Sequence, residues 1–225
     1  MNLNNRRTGW MIWLAIAVVV TGSGAAFAEI KTAPLLVALG QGSTLWLDGT
    51  SSMHDYESRT NDVTLSFTRD ATTGDPADAA GLQTMIRASG IVGLDVAVPI
   101  LSMHSGKSGL DRNLQRTLKA DKFPVIRFHL EHYTVAPGSV GRDTVDLNVD
   151  GTLSVAGHNR PTTLAIRAYR GGAGLWLEGS QALLMTDFDI RPPTMMLGAL
   201  KVADRVTVHY RLLLVPAIAG ASLTN

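Results

Sequence analysis

The side chains of this sequence that could do chemistry are few and widely spaced. His54 and Asp55 are adjacent and could act as a general base with its orienting carboxylate, the arrangement that fixes the tautomer of an imidazole. Adjacent residues of a strand point to opposite faces, however, and no nucleophile can be identified for the pair. A local hydrogen-bonded turn is the interpretation that we favour for these two residues.

The remaining histidines lack the spacing of a metal site. His129 and His132 are three positions apart on a predicted strand, so their side chains should point to opposite faces unless a bulge intervenes. His158 lies in a predicted turn, and His209 lies on the polar side of the predicted last strand. The sequence has no cysteine, which excludes disulfides, Cys-ligated zinc, iron–sulfur clusters and a cysteine nucleophile. We predict no catalytic residue, no metal site and no cofactor.

Two glycine-containing segments resemble nucleotide-binding loops only in part. Residues 40–45 (GQGSTL) begin like a dinucleotide-binding loop, but Leu45 stands where the third glycine is required. Residues 104–108 (HSGKS) contain Gly-Lys-Ser, but Leu101 stands where a P-loop has its first glycine. We expect neither segment to bind a nucleotide.

Composition narrows the class of protein. The 225 residues include 20 Lys+Arg and 19 Asp+Glu, so no strong positive field favours nucleic acid as a partner. Hydrophobic residues make up 45% of the chain, which excludes a wholly disordered protein. The length suits one large domain, which we place at residues 29–215 with a short tail over 216–225.

The first 28 residues have the pattern of a cleaved secretory signal peptide. Arg6 and Arg7 precede the apolar run 10–20 (WMIWLAIAVVV), and Ala26-Phe27-Ala28 is a small-residue cleavage pattern. The run is shorter than the roughly 20 residues that cross a bilayer, so we predict no stable membrane insertion. No cysteine follows it, so no lipoprotein anchor is expected. We predict a mature protein that begins at Glu29 and lies in the periplasm.

Strands are the elements that must position any site. Val63, Leu65 and Phe67 lie on one side of a strand, with polar residues alternating between them. Such period-two alternation is typical of half-buried antiparallel strands. Together with Thr44–Ser51, it predicts about eight strands, centred on residues 44–51, 61–68, 94–98, 126–131, 145–154, 164–166, 175–177 and 206–212.

One helix interrupts the predicted strands. Within Ser108–Lys122, Leu110, Leu114 and Leu118 form a narrow apolar stripe at helical spacing, and Ser108 is predicted to be the N-cap. Asp70–Gly81 has no apolar periodicity and is predicted to be a surface loop. One short helix cannot cover eight half-apolar strands, so the strands must cover one another. They can do so as a two-sheet sandwich or as a closed barrel, and periodicity alone does not choose between these.

Four segments of the sequence have the form of motifs: Leu47–Tyr56 (LDGTSSMHDY), Leu101–Phe128, Asp150–Thr163 (DGTLSVAGHNRPTT) and Met185–Leu200 (MTDFDIRPPTMMLGAL). They are similar to motifs of the YceI-like family, also called the polyisoprenoid-binding domain family. The first resembles its G-T-S-x-x-H-D-aromatic turn, the second its helix-and-strand unit, the third its G-x-L-T-I-x-G motif and the fourth its M-T-D-F-x-I-x-P-P-T motif. Four motifs in order are far more specific than any one of them.

The resemblance implies an all-β fold, an eight-stranded antiparallel lipocalin-like barrel with one accessory α-helix. It also implies an apolar tunnel that holds an isoprenoid or another amphiphilic lipid, polyprenyl or quinone-like. The apolar strand faces then become the candidate ligand-binding wall: Val63, Leu65, Phe67, Val96, Val98, Ile126, Phe128, Leu130, Leu147, Val149, Leu164, Ile166, Val206, Val208 and Tyr210.

The leading hypothesis is an exported carrier of such a lipid, without enzymatic activity. Two alternatives stay open: a secreted enzyme that acts on a lipid or quinone derivative, and a filled barrel that acts as a stress-linked protein-interaction module. A homodimer is also left open. The methionine-rich segment Met185–Leu200 is interpreted first as a core plug and second as a lid over an apolar cavity.

Overall fold

The computed structural model describes residues 31–137, 139, 143–195 and 200–217. The predicted signal peptide, residues 1–28, and residues 218–225 of the predicted tail lie outside the described residues.

Antiparallel strands make up most of the described chain. They are β1 (Thr32–Leu35), β2 (Val37–Leu39), β3 (Thr44–Ser51), β4 (Tyr56–Thr60), β5 (Thr64–Asp70), β6 (Ile91–Pro99), β7 (Val125–Val135), β8 (Thr144–Val155), β9 (His158–Gly171), β10 (Gly174–Leu184), β11 (Thr194–Met195) and β12 (Leu200–Pro216). The helices are α1 (Ala79–Arg87) and α2 (Ser108–Thr117), and two short 3-10 turns are η1 (Ile100–Ser102) and η2 (Met185–Phe188).

The predicted fold class is confirmed, and the element count is corrected. Each of the eight predicted strands is present, but β1, β2, β4 and β11 were not predicted, so the described residues form twelve strands. Helix α1 was not predicted either, and its first residues, Ala79–Gly81, lie in the segment predicted to be a loop. These missed elements are short. A periodic pattern of apolar residues becomes recognisable only over a longer segment.

The strands form one antiparallel sheet that curls into a barrel. The order of its strands is β1-β5-β6-β7-β8-β9-β10-β12-β3-β4. Strand β1 pairs with β5, whereas β2 pairs with the end of β12, where Leu39 lies opposite Leu214. Only Leu36 separates β1 from β2, so this N-terminal segment joins the two sides of the sheet. The chain thereby closes the barrel at that end.

At the other end of the barrel, β3 and β4 take the place of β2. The earlier part of β12, Val202–Arg211, pairs with β3, and β3 pairs in turn with β4. A single antiparallel bridge joins Arg59 of β4 to His104, in the loop before α2. The loop and α2 therefore continue the wall beyond β4.

Helix α1 plugs the first end. Asp78 caps the helix by accepting a hydrogen bond from the Gly81 backbone N–H at 2.8 Å. Leu82, Met85 and Ile86 lie at helical spacing and are buried in the main core. The hydroxyl of Tyr133 donates to the Ile86 carbonyl at 3.0 Å and so ties the end of the helix to β7.

Helix α2 lies at the second end and is shorter than predicted. It stops at Thr117 because Lys119 adopts a left-handed conformation (φ +55°). This conformation lets the Ala120 N–H donate a hydrogen bond to the Gln115 carbonyl, which ends the helix. Its N-cap is Lys107, not Ser108. A second, smaller core lies at this end and contains Ile100, Leu118, Ala120, Val155, Ala156, Phe188 and Ile190.

Candidate functional site

An apolar cavity of about 280 Å³ lies inside the barrel, between the α1 plug and helix α2. Most of the predicted wall residues line the cavity: Leu65, Phe67, Val96, Val98, Ile126, Phe128, Val149, Leu164, Ile166, Val206, Val208 and Tyr210.

Three predicted wall residues do not line the cavity. Val63, Leu130 and Leu147 are buried in the main core. They point inward, as the alternation predicts, but they lie where neighbouring side chains fill the barrel. Alternation identifies the residues that point into the barrel. It does not show which of them line a cavity and which pack against other side chains.

The cavity wall also contains residues that the prediction left out. Strand residues such as Leu177 and Leu212 follow the same alternation and could have been found by it. The predicted apolar stripe of α2, Leu110 and Leu114 with the adjoining Leu118, faces the cavity as well. The other unpredicted apolar residues of the wall are Leu45, Leu47, Leu94, Met103, Leu153, Val155, Leu183, Leu184, Met185, Phe188, Ile190, Pro193 and Val202.

The methionine-rich segment contributes its first half to this site. Met185, Phe188 and Ile190 line the cavity and pack with the second core. Asp204 holds the turn η2 by accepting hydrogen bonds from the Thr186 hydroxyl at 2.6 Å and backbone N–H at 2.9 Å. These bonds keep the pKa of Asp204 below its usual range. Residues 196–199 lie outside the described residues, so the choice between plug and lid stays a prediction.

Strand β4 contributes the hydroxyls of Tyr56 and Ser58 to the cavity wall. Tyr56, Ser58 and Thr60 alternate along this strand on its inner face. The Thr60 hydroxyl lies 2.8 Å from the Ser102 hydroxyl. Ser58 is only 3% exposed, and its Oγ has no hydrogen-bond partner among the described residues. Strand β4 thus presents hydroxyls to a cavity that the other strands line mainly with apolar side chains.

A second polar group lies on the cavity face of α2. Asp111 accepts hydrogen bonds from the Ser105 hydroxyl at 2.5 Å and the Ser105 backbone N–H at 2.7 Å. These two bonds keep the pKa of Asp111 below its usual range, so the carboxylate is ionised at neutral pH. The Arg59–His104 bridge places Ser58 opposite Ser105 across the join between β4 and the loop.

Tyr210 is buried deep in the wall. Its hydroxyl donates to the Ala165 carbonyl at 3.2 Å, and burial raises its pKa above the ordinary tyrosine value. The hydroxyl is therefore neutral and already paired, so this residue contributes a structural bond and an aromatic surface.

The histidines lie outside the cavity, and one expectation about them is wrong. A β-bulge between Leu130 and His132 places His129 and His132 on the same outer face. His129 lies 2.8 Å from Asp95 and His132 lies 3.0 Å from Asp150, so each has its own carboxylate partner. In the part of the chain that the structure describes, no group of three or more His, Cys, Asp or Glu side chains could hold a metal ion.

The turn predicted at His54 and Asp55 is confirmed. Ser51 Oγ donates to the His54 carbonyl at 2.7 Å and accepts from the His54 backbone N–H at 3.2 Å. Both His54 and Asp55 are exposed on the turn between β3 and β4. Neither residue lines the cavity.

Across the described ranges, neither helix has the length and apolar character that a membrane span requires.

Comparisons with known proteins agree with this fold. The model of the YceI-like domain family matches residues 44–214. BcnA of Burkholderia cenocepacia has a similar structure, with a TM-score of 0.56 and 14% identity over 76% of this chain and 94% of that one. A polyisoprenoid-binding domain from Saccharophagus degradans superposes with a TM-score of 0.57 and 14% identity over 81% of this chain and 99% of that one. No curated protein matches the sequence.

Proposed function

The chain belongs to the YceI-like domain family, and from this premise we propose that it binds an amphiphilic isoprenoid-type lipid, polyprenyl or quinone-like, inside the barrel. The observation that carries the proposal is the cavity of about 280 Å³, which is closed at one end by α1 and lined mainly by aliphatic and aromatic side chains. The similar Saccharophagus degradans domain, described as polyisoprenoid-binding, supports the same class of ligand.

The energetics of burial favour such a ligand. Each methylene that leaves water for an apolar site contributes about 0.8 kcal/mol, so a tail of a dozen buried carbons offsets the cost of association. A branched prenyl chain matches a wall built from Leu, Val, Ile and Phe. The protein therefore acts as a carrier or buffer of lipid, without a chemical step.

We also propose that the protein works outside the cytoplasm. The support is the sequence pattern of residues 1–28, with its two arginines, apolar run and small-residue cleavage site. Fractionation of cells that express the full chain, followed by N-terminal sequencing, should recover a periplasmic protein that begins at Glu29. A full-length cytoplasmic product would contradict this proposal.

Native mass spectrometry tests lipid binding directly. The protein purified from cells should carry a small molecule at one per chain, and denaturation should release a prenyl or acyl amphiphile. Val208→Trp, which fills the cavity, should carry less of it, whereas His129→Ala on the outer face serves as a matched control and should keep it. A protein that has the bare polypeptide mass, and that still has it after incubation with prenyl lipids, would overturn the proposal.

A further inference from the structure

The polar part of the cavity wall indicates the chemistry of the ligand's head group. Ser58 is the buried side chain of this wall whose hydroxyl has no hydrogen-bond partner among the described residues, and it is 3% exposed. A buried, unpaired hydroxyl costs free energy, so a native fold keeps one where something else satisfies it. Ser58 lines the cavity, and a bound molecule would meet this hydroxyl there.

Tyr56 provides a second hydroxyl on the same face of β4. It lies two residues before Ser58, so the two side chains point to the same side of the strand, and both line the cavity. Burial raises the pKa of Tyr56, so its phenol stays protonated and can donate a hydrogen bond. Two hydroxyl donors on adjacent inward positions suit a ligand that carries an oxygen acceptor.

The charge in the wall opposes an anionic head group. Asp111 lies on the cavity face of α2, and its carboxylate is held ionised by the bonds from Ser105. The other charged residues of the wall are Glu57, which pairs with Arg59, and Arg127, whose side chain is exposed on the outer face of β7. His104 Nδ1 lies 3.6 Å from the Asp111 carboxylate and so already faces that group. A phosphate beside Asp111 would therefore meet a carboxylate and no inward-facing Lys or Arg among the described wall residues, which is costly.

We propose that the cavity takes a lipid with a neutral, hydrogen-bonding head group, such as an alcohol, a phenol or a quinone, which Ser58 and Tyr56 bind through their hydroxyls, and that Asp111 disfavours the phosphorylated form of the same chain. This rests on the proposed lipid-binding function and specifies its ligand class. Ser58 and Tyr56 are then the residues that fix the orientation of the ligand, because the apolar wall has no directional preference.

Three probes with matched chains test the inference: geranylgeraniol, geranylgeranyl phosphate and the corresponding C20 hydrocarbon. Binding is measured by displacement of an apolar fluorescent dye. The wild-type protein should bind the alcohol more tightly than the hydrocarbon and at least about tenfold more tightly than the phosphate. Ser58→Ala should weaken binding of the alcohol by about three- to tenfold and leave the hydrocarbon within twofold.

Two further variants keep the test sharp. Tyr56→Phe should also weaken binding of the alcohol selectively, and it removes only one oxygen atom. Ser66→Ala makes the same change as Ser58→Ala on the exposed face of β5, the next strand along the chain, and it should bind all three probes as the wild type does.

The outcomes separate this inference from the function on which it rests. If none of the three probes binds, the proposed lipid-binding function fails. If all three bind and neither Ser58→Ala nor Tyr56→Phe discriminates the alcohol from the hydrocarbon, lipid binding stands and the head-group assignment is overturned. If the phosphate binds as tightly as the alcohol, the role assigned to Asp111 is wrong.

Discussion

The two ends of the barrel carry one helix each, and they use it differently. At the α1 end, Leu82 is 1% exposed and packs in a core with the fully buried Val145, Ala168 and Leu175. At the α2 end, no residue of the helix is buried, although Leu110 and Leu114 face the interior. The first helix is part of the core, and the second covers a space.

This difference separates stability from binding within one sheet. The α1 end buries large side chains against one another, and such close packing stabilises the fold. Helix α2 leaves its own apolar residues, Leu110 and Leu114, half exposed, so it contributes less to stability and leaves room for a ligand. A helix that is loosely packed can also move with less loss of free energy than one that fills a core.

The largest expected effect is at the α1 end. Leu82→Ala removes a fully buried side chain from the plug and should lower the free energy of unfolding by about 3 kcal/mol, since the surrounding barrel cannot collapse into the gap. Urea denaturation monitored by circular dichroism measures this. A decrease in the free energy of unfolding of less than about 1 kcal/mol would mean that α1 contributes no more to stability than α2 does.

The same substitution at two levels of the barrel sharpens the comparison. Val145→Phe adds volume to a site that is 0% exposed and should cost about 1–3 kcal/mol of stability. Val208→Phe adds it to the cavity wall, so it should leave stability within about 1 kcal/mol and reduce lipid uptake instead. Paired denaturation and lipid-binding assays check both. Equal destabilisation by the two variants would mean that the wall at Val208 is already filled.

Truncation of the covering helix should have a smaller effect on stability. Leu114→Ala removes a half-buried side chain and should cost about 1 kcal/mol, and it should also speed lipid release. Stopped-flow transfer of a fluorescent lipid to acceptor vesicles measures the release rate. Arg112→Ala, on the exposed face of the same helix, is the control. A release rate that equals the control's would show that α2 does not cover the exit.

The smallest expected effect depends on pH. The pKa of Asp111 is lowered in the folded protein by bonds from Ser105, so its stabilising contribution is present above about pH 4, the usual value, and is lost as pH falls through the lowered pKa. Lipid release should therefore accelerate in strongly acidic buffer, and Asp111→Asn should remove that dependence. Asp95→Asn, an exposed aspartate beside His129, should leave the profile unchanged. A profile shared by all three proteins would contradict this.

More of the fold than of the candidate site could be predicted from the sequence. Period-two alternation identifies the long strands, because each buries one face, and four family motifs choose the barrel over the sandwich. Residues of β4 escape this reasoning, since its inner face carries Tyr56, Ser58 and Thr60 where alternation looks for apolar residues. The His129 and His132 prediction fails because a bulge changes the register, and a bulge has no periodic signal.

The closing segment of the barrel has a consequence for the order of assembly. Strand β2 lies near the start of the domain, and its partner is the end of β12, the last strand. A growing chain therefore carries β2 without its partner until β12 has been synthesised, and the pairing closes nearly the whole domain as one loop. The seam should form late in folding, so a chain that ends before Leu214 would leave the barrel open along an exposed edge that favours aggregation.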